Sequence, residues 1–133
     1  MLARRTALAL AGTLPFTGAR AQGRLVTDMA GRRVALPARI GRVVTLGSLP
    51  VLNSFVFAMG QGATLINGLA DFARPHWRFQ TVFAPQLPRM PTMQLPTREP
   101  NLEAILLAKP DLVLTMHRES VELLAGRGIP VVF

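Results

Sequence analysis

One stretch constrains the fold of this chain more than any other: Glu99 to Thr115, where two prolines bracket a short helical pattern and an apolar run follows at once. Pro100 cannot continue an upstream helix, and the Asn101 side chain is suited to accept a hydrogen bond from an unpaired first-turn amide, so a helix is expected from Leu102. Leu102, Ile105 and Leu106, with the stem of Lys109, fall at three- and four-residue spacings and define an apolar stripe. Glu103 stands in the first turn, where a negative charge suits the helix dipole. Pro110 ends the helix. Leu112, Val113 and Leu114 then run without alternation, the pattern of a strand covered on both faces in a parallel sheet. A helical pattern from Ser120 to Gly126 and an apolar run from Ile129 to Phe133 complete a β-α-β unit.

Upstream, Asp28 to Gly31 supplies turn chemistry between two short polar and apolar alternations, which predicts a hairpin ending at Pro37. Val43 to Leu46 reads as a buried strand. Gly47-Ser48-Leu49-Pro50 reads as a strand-to-helix turn, with Ser48 as cap and Pro50 early in a helix expected over Val51 to Met59. Gly60 and Gly62 break that helix, and Thr64 to Gly68 is expected to form the next strand. Between Leu69 and Thr97, five prolines forbid any long regular element, leaving a loop with a helical turn or two around Trp77. A loop of that length in a compact domain is more often functional than idle.

The N-terminus has the form of an export leader. Arg4 and Arg5 precede an apolar stretch from Ala7 to Phe16, and Ala19-Arg20-Ala21 matches a signal-peptidase site, so residues 1–21 are assigned as a cleaved signal peptide and the mature protein to Gln22 onward. The stretch is too short to span a bilayer as a helix. The paired arginines suggest twin-arginine export as an alternative to the general route. Beyond residue 21 there are 12 basic and 7 acidic residues, the basic ones nearly all arginine and scattered rather than clustered, which argues against a nucleic-acid surface. With no cysteine there is neither a disulfide framework nor a thiolate metal site. Two histidines, no tyrosine and no Gly-x-Ser-x-Gly elbow or phosphate-cradling loop leave hydrolase, kinase and dehydrogenase mechanisms without their parts, so no enzyme is expected.

The order of helix, Lys109 to Thr115, helix, and Gly128 to Val132 resembles the N-terminal lobe of the periplasmic substrate-binding proteins that serve ABC importers for iron-siderophores, haem and cobalamin. Arg24 to Pro37 is similar to that family's opening hairpin and Arg42 to Gly47 to its first central strand, so the resemblance covers Arg24 to Phe133. It implies an α/β fold, a parallel sheet flanked by helices and preceded by a short hairpin, forming one lobe of a two-lobed protein. It also implies capture of a ferric siderophore or similar metal chelate, without a cofactor, and delivery to an ABC importer permease by a periplasmic monomer. Haem or cobalamin as ligand, and a truncated, non-functional or purely protein-interacting remnant, are the alternative readings. Residues 22–133 make one lobe's worth of chain, truncated relative to the family, so weak or absent binding by the lobe alone is expected.

Ligands of open parallel sheets gather at the carboxyl ends of the strands. Three places qualify. Ser48 and Leu49 follow the first strand, where helix-start amides suit an anionic oxygen, although Ser48 serves equally as a plain cap. The loop carrying Arg74, His76, Trp77 and Arg78 pairs guanidinium groups with an indole, a combination suited to a large, flat, anionic chelate, or else a core anchor with solvated arginines. Arg98 precedes the Asn101 helix, and His117 follows the Leu112 strand. Siderophore-binding relatives often place an arginine just ahead of this helix, for which Arg98 is the nearest match. His117 suits an axial ligand to haem iron or a chelate contact, or is plain polar surface. Met90 and Met93, with Met116 beside His117, suggest a soft copper(I) site, or else packing, the commoner use of methionine; no resident metal is assigned. In the resembled family the acidic residue matching Glu103 faces the permease.

Overall fold

The computed structural model describes residues 23–69 and 78–133. The expected leader, and Arg74, His76 and Trp77, lie outside the described residues. Two strands, β1 (Arg24–Thr27) and β2 (Arg33–Leu36), form the expected antiparallel hairpin, with Arg24 opposite Leu36 and Thr27 opposite Arg33. Its turn is built by Asp28, whose Oδ1 accepts the amides of Ala30 and Arg32 at 3.0 and 2.9 Å, and by Gly31, whose φ of 75° is costly for any residue with a Cβ.

Three strands follow in a parallel sheet of order β3-β4-β5: β3 (Val43–Leu46), β4 (Leu112–Thr115) and β5 (Val131–Val132). Val43 pairs with Leu112 and Val113 with Val131. The two faces carry separate cores. Val44, Leu46, Val113 and Val131 pack with Met93 and with Ile105, Val121 and Leu124 of the helices α3 (Leu102–Ala108) and α4 (Arg118–Ala125). Val43 packs on the other face with Leu65, Leu69, Ala84, Leu87 and Val56 of α1 (Leu49–Ala58). Helices thus cover both faces, which explains the unbroken apolar runs.

Several details differ from the sequence-based expectation. Thr64 to Gly68 does not continue as a strand; a 3-10 turn at Gly62–Thr64 leads into a single parallel bridge between Val43 and Leu65. The next rungs are diverted: the Thr45 amide donates to Asn67 Oδ1 at 2.9 Å and the Gly68 amide to the Pro91 carbonyl at 2.7 Å. Helix α3 keeps the Asn101 cap, with Oδ1 accepting from Ala104 at 3.2 Å, but it turns Ile105 inward with Ala104 and Ala108 alongside, leaving Leu106 outside. Ser48 occupies the N-cap of α1 without a side-chain hydrogen bond. Finally, α4 begins at Arg118, ahead of the expected Ser120, and within the proline-rich loop a short helix, α2 (Gln80–Phe83), precedes a 3-10 turn at Leu87–Arg89.

The hairpin turn is fastened to the outer edge of β5. Arg32 pairs with Asp28 at 2.6 Å and donates to the Val131 carbonyl at 2.8 Å, Asp28 Oδ2 accepts the Phe133 amide at 3.4 Å, and the Met29 amide donates to the Phe133 carbonyl at 3.1 Å. Burial by itself raises the Asp28 pKa, but the Arg32 amide and guanidinium and the Phe133 amide outweigh it and hold the carboxyl below its ordinary value. Because the folded-state pKa is depressed, this contribution to stability is present above the ordinary aspartate range near pH 4 and is lost as pH falls through the lowered value. Urea titrations from pH 6 to pH 2 should show that acid loss in the parent chain and a smaller one in Asp28→Asn. For α3, Ile105→Ala should lower the unfolding free energy by about 2–5 kcal/mol, whereas Leu107→Ala, at a position 83% exposed, should change it by less than about 0.5 kcal/mol in the same assay.

Candidate ligand-binding cleft

Parallel pairing brings the turns after β3 and β4 side by side. Gly47, at φ 103°, follows β3 so closely against the β4 turn that a Cβ there would meet His117 Cδ2 at 3.1 Å and Nε2 at 3.2 Å. The ring of His117 therefore rests across a bare backbone. Its backbone is fixed by the buried Thr115, whose Oγ1 accepts the His117 amide at 3.1 Å, while neither ring nitrogen has a hydrogen-bond partner among the described residues. His117 is the N-cap of α4 without a capping side-chain bond.

Facing it is a tight hairpin over Gln94 to Pro100, joined by an antiparallel bridge between those two residues. The Arg98 amide donates to the Leu95 carbonyl at 2.8 Å and the Leu95 amide to the Glu99 carbonyl at 2.9 Å, which confines the reversal to Pro96, Thr97 and Arg98. Pro96 presets the first turn angle. The third loop position is left-handed, as three-residue hairpins require, and is normally glycine; here it is Arg98 at φ 71°. Gln94 Nε2 donates to the Arg98 carbonyl at 3.1 Å, and the remaining Gln94 Oε1 is buried without a partner.

Between the hairpin and α4 lies a cleft of about 370 Å³ lined by Thr97, Arg98, Glu99, Pro100, His117, Glu119 and Ser120. Arg98 is exposed, and no carboxylate lies within salt-bridge distance of it among the described residues. Arg98 and His117 thus line one concavity together with Glu99 and Glu119, a set of residues able to hold an oxygen-rich, partly anionic molecule by charge-assisted hydrogen bonds.

The other expected contacts are placed elsewhere. Leu49 is a core residue, 5% exposed, and its amide already donates to the Gly47 carbonyl; Pro50 has no amide and Val51 donates to Ser48, so the start of α1 presents few free donors to an anion. Neither Ser48 nor Arg78 lines the cleft; both are exposed, and the Arg78 carbonyl serves α2 by accepting from Thr81. Met93 belongs to the core and Met116 sits against Gly47, so the methionines do not converge on a copper site. Among the described residues no group of three or more His, Cys, Asp or Glu could hold a metal ion. Glu103 is exposed on a separate hollow of about 420 Å³ with Leu102, Leu106, Leu107 and Lys109. Two contacts escaped the sequence reading: Gln94 behind Arg98, and Arg118, whose guanidinium lies 5.6 Å from the Phe133 ring centre. Pro96 as a turn former was the only available signal for the first.

No protein-family model matches the chain, and no curated protein is significantly similar to it. Solved structures do match. A periplasmic solute-binding protein from Veillonella parvula DSM 2008 superposes with a TM-score of 0.68 at 23% identity, over 82% of this chain and 34% of that one. The molybdate periplasmic binding protein MolA of a Haemophilus influenzae ABC transporter gives 0.63 at 26% identity, over 82% and 33% of the two chains. A protein of an ABC-type Fe3+-hydroxamate transport system from Saccharomonospora viridis DSM 43017 gives 0.51 at 20% identity, over 83% and 38%. The chain spans roughly a third of the length of these structures. Over that third, with its hairpin, parallel sheet and flanking helices, the chain has the fold of the periplasmic solute-binding proteins of ABC importers.

Proposed function

We propose that the chain is one lobe of a periplasmic receptor that captures a ferric siderophore or a similar metal chelate and hands it to an ABC importer, with residues 1–21 as its export leader. The observation that carries this reading is the juxtaposition of Arg98 and His117 in one cleft at the carboxyl ends of the parallel strands. Arg98 binds the chelate's anionic oxygens, and His117 offers an uncommitted ring nitrogen against the metal-bound ligand shell. From their chemistry in the sequence, Arg74, Trp77 and Arg78 of the loop after Leu69 are proposed as further chelate contacts. No bond of the ligand is made or broken, so the lobe acts by binding alone. The unpartnered His117 ring equally suits axial ligation of haem iron, which is the second reading.

Strain at Arg98 supports a role in binding. A left-handed conformation costs a residue with a Cβ about 1–2 kcal/mol, which glycine avoids. Arg98→Gly should therefore leave stability unchanged or raise it, after allowance for the extra freedom of glycine in the unfolded chain, while weakening binding of a ferric trihydroxamate by roughly 10- to 100-fold through loss of a charge-assisted contact. Thermal unfolding and titration followed by NMR shifts check the two halves; unchanged chelate affinity in Arg98→Gly would sink the assignment. Haemin titration distinguishes the second reading, because ligation by His117 would give a Soret shift that His117→Ala abolishes.

Glu103 is proposed to face the permease, on the outward hollow beside Leu106 and Leu107. Glu103→Arg should cut uptake in cells at least tenfold through charge reversal at the docking surface. Chelate affinity of the purified protein should not change.

A further inference from the structure

Gln94 was not among the expected site residues, yet it is buried behind the cleft and its side chain has one bond: Nε2 to the Arg98 carbonyl, 3.1 Å. Its other polar atom, Oε1, is buried and unpartnered. A buried amide oxygen without a partner is costly, and a methionine of similar size would fill the same space without that cost. The one bond the glutamine does make falls on the residue whose backbone is strained, and the carbonyl it holds belongs to the left-handed peptide at the end of the Leu95–Arg98 turn. No second side chain fixes that peptide among the hydrogen bonds of the described residues.

We propose that Gln94 is a positioning residue: it locks the left-handed backbone at Arg98 and so keeps the guanidinium directed into the cleft before ligand arrives. This rests on the reading of the cleft as the chelate site. A backbone already held in its bound shape does not pay ordering entropy on binding, so the device acts on affinity rather than on fold. Glycine at position 98 adopts the left-handed region unaided and would make the lock redundant.

The test is a double-mutant cycle with a readout that needs no ligand. Gln94→Met removes the donor at nearly constant volume; Gln94→Leu removes it with a branched apolar side chain and serves if the first variant folds poorly. In the free protein, amide hydrogen exchange at Leu95 and Arg98 should speed up by roughly tenfold in either variant, with core amides such as Val113 unchanged. In the Arg98→Gly background the same substitutions should leave Leu95 exchange unaltered. Affinity for a ferric trihydroxamate should fall roughly three- to tenfold in the single variants and show no further fall when combined with Arg98→Gly. Unchanged exchange at Leu95 and Arg98, or equal losses in both backgrounds, overturns the proposal. Resonance shifts caused by millimolar ferric trihydroxamate that fall away from Arg98 and His117 overturn the reading of the cleft instead, and the exchange measurement still decides whether Gln94 holds Arg98.

Discussion

Parallel pairing of β3 with β4 is the constraint on which the rest of the molecule depends. Two strands that point the same way must deliver their following turns to the same end of the sheet, so Gly47 and His117 meet although 69 residues separate them in the chain. Antiparallel pairing would have sent them to opposite ends. Such pairing also requires a long crossover between the strands, and here that crossover contains α1, the proline-rich segment and α3. The apolar character of both strands follows, because α1 with Leu65, Ala84 and Leu87 covers one face while α3 and α4 with Met93 cover the other.

A buried polar chain ties the crossover down. Thr45 of β3 donates from Oγ1 to Asn53 of α1 at 2.6 Å, Asn53 donates to Gln80 of α2, and Asn67 brackets Thr45 by accepting its amide and donating to its hydroxyl at 3.1 Å. Thr45, Asn53 and Gln80 are fully buried and Asn67 nearly so. Hydrogen bonds of this kind contribute modestly each, but an unmade one in the interior is expensive, which is why such networks specify geometry more than they add stability. Gln80 Nε2 is left without a partner, so the network is one acceptor short.

How much of this was legible in the sequence depended on whether backbone or side chains decided the outcome. The hairpin, β3, β4, β5 and the Asn101 cap were readable because turn residues, prolines and unbroken apolar runs act locally. The strand expected at Thr64 to Gly68 failed because Asn67 competes for the Thr45 amide, a long-range choice that propensity does not encode. Leu106 looked as suited to the core as Ile105; only the docking of α3 on the sheet separates them. Of the residues lining the cleft, His117 was expected from its place after β4 and Arg98 from its place ahead of α3. Gln94 was not, since its importance lies in one hydrogen bond to a strained peptide.

The clamp formed by Asp28 and Arg32 has a consequence beyond the lobe itself. An outermost strand normally exposes a row of unused amides and carbonyls that can recruit a strand from another molecule. Here the Val131 carbonyl and the Phe133 amide and carbonyl are taken up by the hairpin turn. Those bonds leave fewer groups along β5 for a strand of another molecule to pair with.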